Sequence, residues 1–411
     1  MNSGLFGWWR AGDERAHKSL IAASLGWMLD AFDVTLFFLL TTSLINDLGL
    51  TKADAGALGS ITLLGAAAGG LLFGIIADRY GRTRALIGSV LLYSIFTAVC
   101  GFTNNFWQLA VARALLGLGM GGEWASGAAL VSETWPAQHR GKALGFMQSS
   151  WAIGYGAAAV AVAIVLPRFG WRAAFFVGVL PALLTLWVRR NVEEPQIWLD
   201  RRGEHSKSSA GFADVFRDGR AGVTTAVTLM NACTLFAWWG LNSWVGARMT
   251  LSPEQGGLGM STSAMSILIL VNQVGMWFGY VTFGYVSDAV GRKRTYITYL
   301  LVASVLIPLY GVIKTPAVLL ALGPLVMFFG TGYFSGFGAL TAELYPTAIR
   351  ARAQGFTYNL GRIVSAAAPF IAGTLAASRG FGTAFLVSGV AFLLAAVAWI
   401  WIPETKGRAL V

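Results

Sequence analysis

The sequence is short of charge, of acid in particular, and of cysteine. Charged residues make up 12% of its 411 positions against 56% hydrophobic, with a mean hydropathy of +0.63. Soluble domains carry about a quarter charged residues, so that class is excluded and the chain reads as integral to a membrane. Its two cysteines, Cys100 and Cys233, both fall in apolar segments. No disulfide framework, cysteine metal site or redox centre is expected. The N-terminal "MNSGLFGWWRAGDERAHKSL" lacks a positive head leading into a short apolar core with a small-residue cleavage site, so the first hydrophobic segment should be retained. Trp8, Trp9 and Arg10 suit an interfacial anchor. No apolar run carries a nucleophile–base pair, metal-ligand spacing or a nucleotide loop, and "GLGMGG" (117–122) has no strand before it. An enzyme, a bound metal and an organic cofactor are therefore not expected.

What is present is a set of apolar runs long enough to cross about 30 Å of hydrocarbon. They fall near 18–42, 54–77, 84–102, 106–130, 142–166, 172–190, 222–248, 261–287, 295–313, 316–341, 352–377 and 381–402, giving twelve expected spans. Alternating the loops puts 22 of the 30 Lys and Arg residues on one face, six on the other (Lys52, Arg168, Arg172, Arg248, Lys314, Arg379) and two, Arg113 and Arg362, inside spans. The positive-inside rule then makes the basic face, with both termini, cytoplasmic, and accounts for the net charge of +11 without nucleic acid. The only long connection, 191–221, divides the chain into six spans over 1–190 and six over 222–411.

An offset of 210 residues relates the two parts. Gly74, Asp78, Gly81, Arg82 and Arg84 fall on Gly284, Asp288, Gly291, Arg292 and Arg294. Glu133, Pro136, Arg140, Ala143, Gly145 and Phe146 fall on Glu343, Pro346, Arg350, Ala353, Gly355 and Phe356. Related halves running in the same direction are the arrangement in which a site forms between them near the bilayer midplane.

These residues resemble the major facilitator superfamily. "GIIADRYGRTR" (74–84), its partner "GYVSDAVGRKR" (284–294), "RALLGLGMGGE" (113–123) and "PET" (403–405) carry the resemblance, which covers essentially the whole chain. It implies an all-α membrane fold of two pseudo-symmetric six-helix bundles. It also implies a cytoplasmic gate built from Gly74, Asp78, Arg79, Gly81, Arg82, Glu133 and Arg140 in one half and Asp288, Gly291, Arg292, Glu343 and Arg350 in the other. The glycines allow tight turns, and the arginines can reach carboxylates or helix C-termini. The second copy has Ala289 where the first has Arg79, so a pairing of Arg79 does not transfer.

Two acids interrupt the first span, in "GWMLDAFDVTL" (26–36). Asp30 and Asp33 are three residues apart, about 60° around a helix and about 4.5 Å along it, so they share a face. Counting about 1.5 Å per residue, Asp33 lies roughly 13 Å deep and Arg113 of span 4 about 12 Å, which predicts an Arg113–Asp33 pair and leaves Asp30 as the proton carrier. Glu123, ten residues beyond Arg113, belongs either to an inner proton route or to a packing seam made by Gly117, Gly119, Gly121 and Gly122. Arg362 is the buried base of the second half and has no acid at its depth there, so its partner must come from the other half or from a ligand carboxylate. Asn231, Trp238, Trp239, Asn242, Asn272, Gln273, Tyr333, Tyr358, Asn359 and, from span 5, Gln148, Ser149, Ser150 and Tyr155 could complete a cavity wall.

The aspartate pair, "GEW" at 122–124, "GWRAAFFVGVLPALLTLWVRRNVEEPQIW" (170–198) and the arginine of span 11 narrow the resemblance to proton-coupled organic-anion symporters of the aromatic-acid, sialate and lactate/monocarboxylate branches. Span 5 lacks the proline of the drug/proton antiporter pattern. The expected function is import of a small carboxylate with protons as the coupling ion, by a monomer in the inner membrane, without nucleic acid. A uniporter or exchanger for a neutral nutrient and a non-transporting receptor of the same fold are the alternatives.

Overall fold

A computed structural model describes residues 7–136, 139–194 and 215–406, and every regular element among them is helical. After a short turn at Gly7–Arg10, α1 (Glu14–Leu48) starts at Asp13, which accepts from the Ala16 amide, and ends at Gly49 in the left-handed region. α2 (Lys52–Tyr80) opens on a reciprocal Thr51/Asp54 capping box and stops at Gly81, φ 119°, which also begins α3 (Arg82–Cys100). α4 (Phe106–Thr134) is capped by Asn105. α5 (Arg140–Val177) carries a non-helical residue, Gly170 (φ 77°), and is followed by α6 (Pro181–Asn191). Beyond residue 214 come α7 (Ala221–Asn242), a short helix Val245–Thr250, and α8 (Thr262–Val290). Next are α9 (Arg292–Val312) and α10 (Pro316–Thr331), which continues through Phe337–Leu344. The chain closes with α11 (Thr347–Ser365), its continuation Ala368–Ser378, and α12 (Phe381–Ala398).

Among the described residues ten helical stretches are long and apolar enough to cross a membrane. One of them, 140–188, takes in the expected span 142–166 and most of 172–190, so the boundary there is a glycine break and not a polar loop. Arg248, expected at the outer end of the span 222–248, lies on the short helix after α7, 3% exposed, with Nη2 donating to the Ile313 carbonyl at 2.5 Å. Of the connection 191–221, residues 195–214 lie outside the described set.

The glycines of α4 form the seam their spacing predicts. A methyl group on Gly117 or Gly121 would strike the backbone carbonyl of Thr62 or Ala66 on α2, and one on Gly65 or Gly69 of α2 would strike Ala114 or Leu118 of α4. At the repeat offset, Gly275 and Gly279 of α8 meet Pro324 and Phe328 of α10 in the same way. Glycine lets each pair of helices approach to backbone contact, where dispersion and Cα–H···O contacts replace the hydrophobic term that lipid cannot supply.

Helices α1 to α4 pack on one another, with α5 on α1, α3 and α4; in the second half α7 packs on α11 and α12, α12 on α9, and α8, α9 and α10 on one another. The two sets meet where α5 lies on α8 and where α2 lies on the Ala368–Ser378 segment. The second contact closes the face opposite the basic loops. Thr42 and Thr250 hydroxyls are 2.7 Å apart, the Phe370 amide donates to Ser60 Oγ at 3.2 Å, and Lys52 Nζ donates to the Gln255 carbonyl at 2.5 Å. On the basic face the pairs Arg82–Glu133, Arg292–Asp288 and Arg292–Glu343 each lie within one half.

Candidate transport site

A cavity of about 30 Å³ lies between the two sets of helices, enough for about one water. Its wall is Trp27 and Met120 from one side with Gln148 and Trp151 of α5, and Leu235, Trp238, Trp239, Tyr280, Phe334, Tyr358 and Arg362 from the other. The Trp27 and Trp151 rings are 4.7 Å apart, and Trp151 meets Trp239 edge-on at 6.4 Å. Flat apolar surface and one guanidinium therefore converge on one space. Of the expected wall residues, Gln148, Trp238, Trp239, Tyr358 and Arg362 line it.

The others lie nearby or turn elsewhere. Tyr333 donates to the Thr234 carbonyl, Asn359 to that of Gly355 and Gln273 to that of Ile269. Asn231 packs against Gly361 with its amide nitrogen lacking a protein partner, and both amide atoms of Asn242 lack one. Asn272 reaches the Tyr310 hydroxyl at 3.4 Å. Ser149 and Ser150 donate to carbonyls one turn back on α5, and the buried Tyr155 hydroxyl lacks a protein partner.

The expected Arg113–Asp33 pair is not made. Arg113 is fully buried among α1, α2 and α4, its Nε donating to Thr62 Oγ1 at 2.9 Å and its guanidinium lying 4.0 Å from the centre of the Phe37 ring. Both Nη atoms lack a protein acceptor, and the residue does not line the central cavity. Asp33 turns towards α3, where Thr97 Oγ1 donates to its Oδ2 at 3.1 Å, and its Oδ1 faces Gly178. Equal depth along two helices leaves the rotation about each axis open, and a short hydroxyl partner took the carboxylate.

Asp30 and Glu123 point the other way. Both are buried; Asp30 Oδ2 and both Glu123 oxygens lack a protein donor, and Glu123 packs directly on Gly26 of α1. The cation whose field reaches both is Arg362 of α11. Arg362 is 3% exposed, its Nη1 is 3.5 Å from the Ala66 carbonyl and its guanidinium 5.6 Å from the Tyr358 ring centre. Asp30, expected to stand without a cation, thus has a distant one from the other half, and Glu123 lies in the interior beside it and not at a helix end.

The loop residues form two matching braces. Arg82 pairs with Glu133 at 2.9 Å and caps the α2 C-terminus through the Ala77 carbonyl at 2.8 Å. Arg292 pairs with Glu343 at 3.0 Å and Asp288 at 2.6 Å. Arg140 and Arg350 donate to the carbonyls of Trp135 and Tyr345. Gly81 and Gly291, at φ 119° and 113°, make the sharp joints between helices. Gly74 has open space where a side chain would sit, and Arg79 is exposed over the Tyr80 ring. The Asp78 side chain lies outside the described residues.

Two carboxylates of these braces were not singled out from the sequence. Glu194 accepts from the Thr83 and Arg84 amides, and Glu404 from those of Arg292 and Lys293, each neutralising the first turn of a helix. They too are 210 apart, so the repeat could have found them. Trp27, Trp151, Tyr280 and Phe334 of the cavity were likewise missed. Trp27 and Trp151 each sit three residues from a chosen polar residue, Asp30 and Gln148, a spacing that shares a helix face.

Comparison with known proteins follows the same lines. The family model described as Major Facilitator Superfamily matches residues 23–252 and 227–410. The chain is 33% identical over 412 residues to the probable 4-methylmuconolactone transporter of Cupriavidus pinatubonensis, covering 99% of this chain and 95% of that one. It is 30% identical over 391 residues to the sialic acid transporter NanX of Escherichia coli, covering 94% of this chain and 93% of that one. Among solved structures, that of the D-xylose-proton symporter superposes with a TM-score of 0.77 at 22% identity, over 96% of this chain and all of the other.

Proposed function

This chain belongs to the Major Facilitator Superfamily, and we propose that it is a proton-coupled symporter importing a small, flat organic carboxylate across the inner membrane. As a multi-pass membrane transporter it is no enzyme, and its relatives carry small organic solutes. Twelve spans in two six-helix bundles, 1–190 and 222–411 joined by 191–221, fit the ten apolar stretches once 140–188 is divided at Gly170 and α4 is added. The excess of Lys and Arg on one face sets both termini in the cytoplasm.

With that orientation the sealed face is the outer one, so substrate leaves or has left towards the basic loops. The observation that carries the reading is the position of Arg362: one side meets the aromatic cavity, the other feels Asp30 and Glu123 across the interface between halves. Burying a guanidinium is costly, and an anion beside it offsets that cost. Either the transporter's own carboxylates supply that charge or the substrate does. Protons on Asp30 and Glu123 would remove the internal competitors and let a substrate carboxylate take the guanidinium. Their release after inward opening would return Arg362 to the acids and expel the anion. Substrate and proton are thereby tied to the same cation, which is the requirement for symport.

The walls argue for a flat solute. Trp27, Trp151, Trp238 and Trp239 offer ring faces, while Gln148 is the one amide on the wall. A thermal-shift panel on the purified transporter tests this: benzoate, nicotinate and 4-methylmuconolactone should stabilise it, and nicotinamide, which has no carboxylate, should not. Arg362→Ala should lose the response. Equal stabilisation by nicotinamide, or an undiminished response of Arg362→Ala to benzoate, would refute the assignment.

A further inference from the structure

Tyr93 of α3 is wholly buried inside the first half, away from the cavity wall, and its hydroxyl has no protein partner. We infer that this hydroxyl relays protons between Asp33 and the Asp30–Glu123 pair, along a route separate from the substrate cavity; the inference rests on the symport reading above.

The placement of the helices supplies the route. Thr97 Oγ1 lies 3.1 Å from Asp33 Oδ2 and 2.9 Å from the carbonyl of Tyr93, one turn earlier on the same helix, and its one proton can be donated to either. Tyr93 therefore sits one turn towards the basic face from the level of Asp33. Its backbone and Cβ pack on Gly119 of α4, and Glu123 follows Gly119 by one turn in the same direction. Asp30 is one turn of α1 inward of Asp33, and Gly26, one turn further, touches Glu123. The phenol thus stands between an outer acid and two inner ones, and those three carboxylates are the charges that bear on it. Arg113 and Cys100 lie on the Asp33 side.

Packing alone does not call for a hydroxyl here. A phenylalanine would fill the space without leaving a buried oxygen unpaired, so the orphan is disfavoured unless it has a use. The second repeat, built on the same backbone, has Ala303 at this place, with Ser243, Gly240 and Tyr333 where the first has Asp33, Asp30 and Glu123. The four residues are absent together, as parts of one device.

The transfer balances without charging the phenol. Protonated Asp33 passes its proton, directly or through water, to a lone pair of the Tyr93 oxygen while the hydroxyl's own proton goes to the Glu123 or Asp30 carboxylate. One O–H bond breaks at each donor as one forms at each acceptor. Asp33 ends ionised, the inner acid ends neutral, and the hydroxyl turns back before the next proton.

Tyr93→Phe, reconstituted in proteoliposomes with labelled 4-methylmuconolactone as probe, separates the two jobs. Counterflow needs no net proton movement and should stay within about twofold of wild type, whereas accumulation driven by an inside-alkaline step should fall roughly tenfold or more. Undiminished accumulation by Tyr93→Phe overturns the relay. Loss of counterflow together with accumulation also overturns it, since the phenol would then serve the fold or the rocking motion. Wild-type uptake indifferent to the pH step would overturn the symport reading itself, a result distinguishable from both.

Discussion

The Thr97 hydroxyl lies within hydrogen-bond reach of Asp33 Oδ2, at 3.1 Å. Asp33 is turned towards α3, and Arg113 stacks on Phe37. Asparagine at 33 keeps an oxygen for Thr97 but cannot give up a carboxyl proton. Asp33→Asn should therefore retain counterflow and lose accumulation driven by a pH gradient. Thr97→Val should keep the acid but destabilise the fold by about 1 kcal/mol or more, the usual effect of removing a buried hydrogen bond. Denaturation in detergent and paired transport assays would check both; gradient-driven accumulation by Asp33→Asn at the wild-type level would remove Asp33 from the proton path.

The outer seal offers a direct test of alternating access. Thr42 of α1 and Thr250, after α7, bring their hydroxyls to 2.7 Å across the two halves. Cysteines at both positions should cross-link under mild oxidation, since the side-chain atoms their sulfurs would replace are already in contact. Transport should stop on oxidation and return with reductant. A cross-linked protein that still transports would mean this contact need not open.

Glu404 tests the brace beneath the second half. Burial would raise the carboxyl's pKa, but hydrogen bonds from the Lys406, Arg292, Thr405 and Lys293 amides outweigh it and hold the group below the usual carboxylate range. A depressed folded-state value gives stability that is present above the ordinary carboxylate value, about 4.3, and is lost as pH falls through the lower folded one. Glu404→Gln should cost about 1 kcal/mol at neutral pH, as loss of a helix cap does, and progressively less in acid. A stability difference independent of pH would show that the charge is not what matters there.

Much of this was legible in the sequence because the backbone itself imposes it. Gly81 and Gly291 mark joints that only a positive φ can turn, and the glycines at 117 and 121, facing α2, and 119, facing α3, mark helix crossings at backbone distance. The loop arginines were found because a repeat and a charge rule both point to them. Side-chain partners across helices were less legible. Depth can be counted along a helix, but rotation about its axis depends on every neighbour. So Asp33, which shares a face with Asp30, still found Thr97 while Asp30 turned to the interface between halves. The cavity's tryptophans were hidden for another reason: with 16 in the chain, an indole in an apolar run carries little information until its neighbours are placed.

The central claim is that one proton gradient drives one carboxylate through the site at Arg362. Uptake of labelled 4-methylmuconolactone into proteoliposomes, with the interior set alkaline to the outside and the membrane potential clamped, tests it most directly. The account predicts accumulation above the equilibrium level in wild type, collapse on adding a protonophore, and none in Arg362→Ala. Uptake that only equilibrates, unchanged by the gradient and equal in Arg362→Ala, would contradict it.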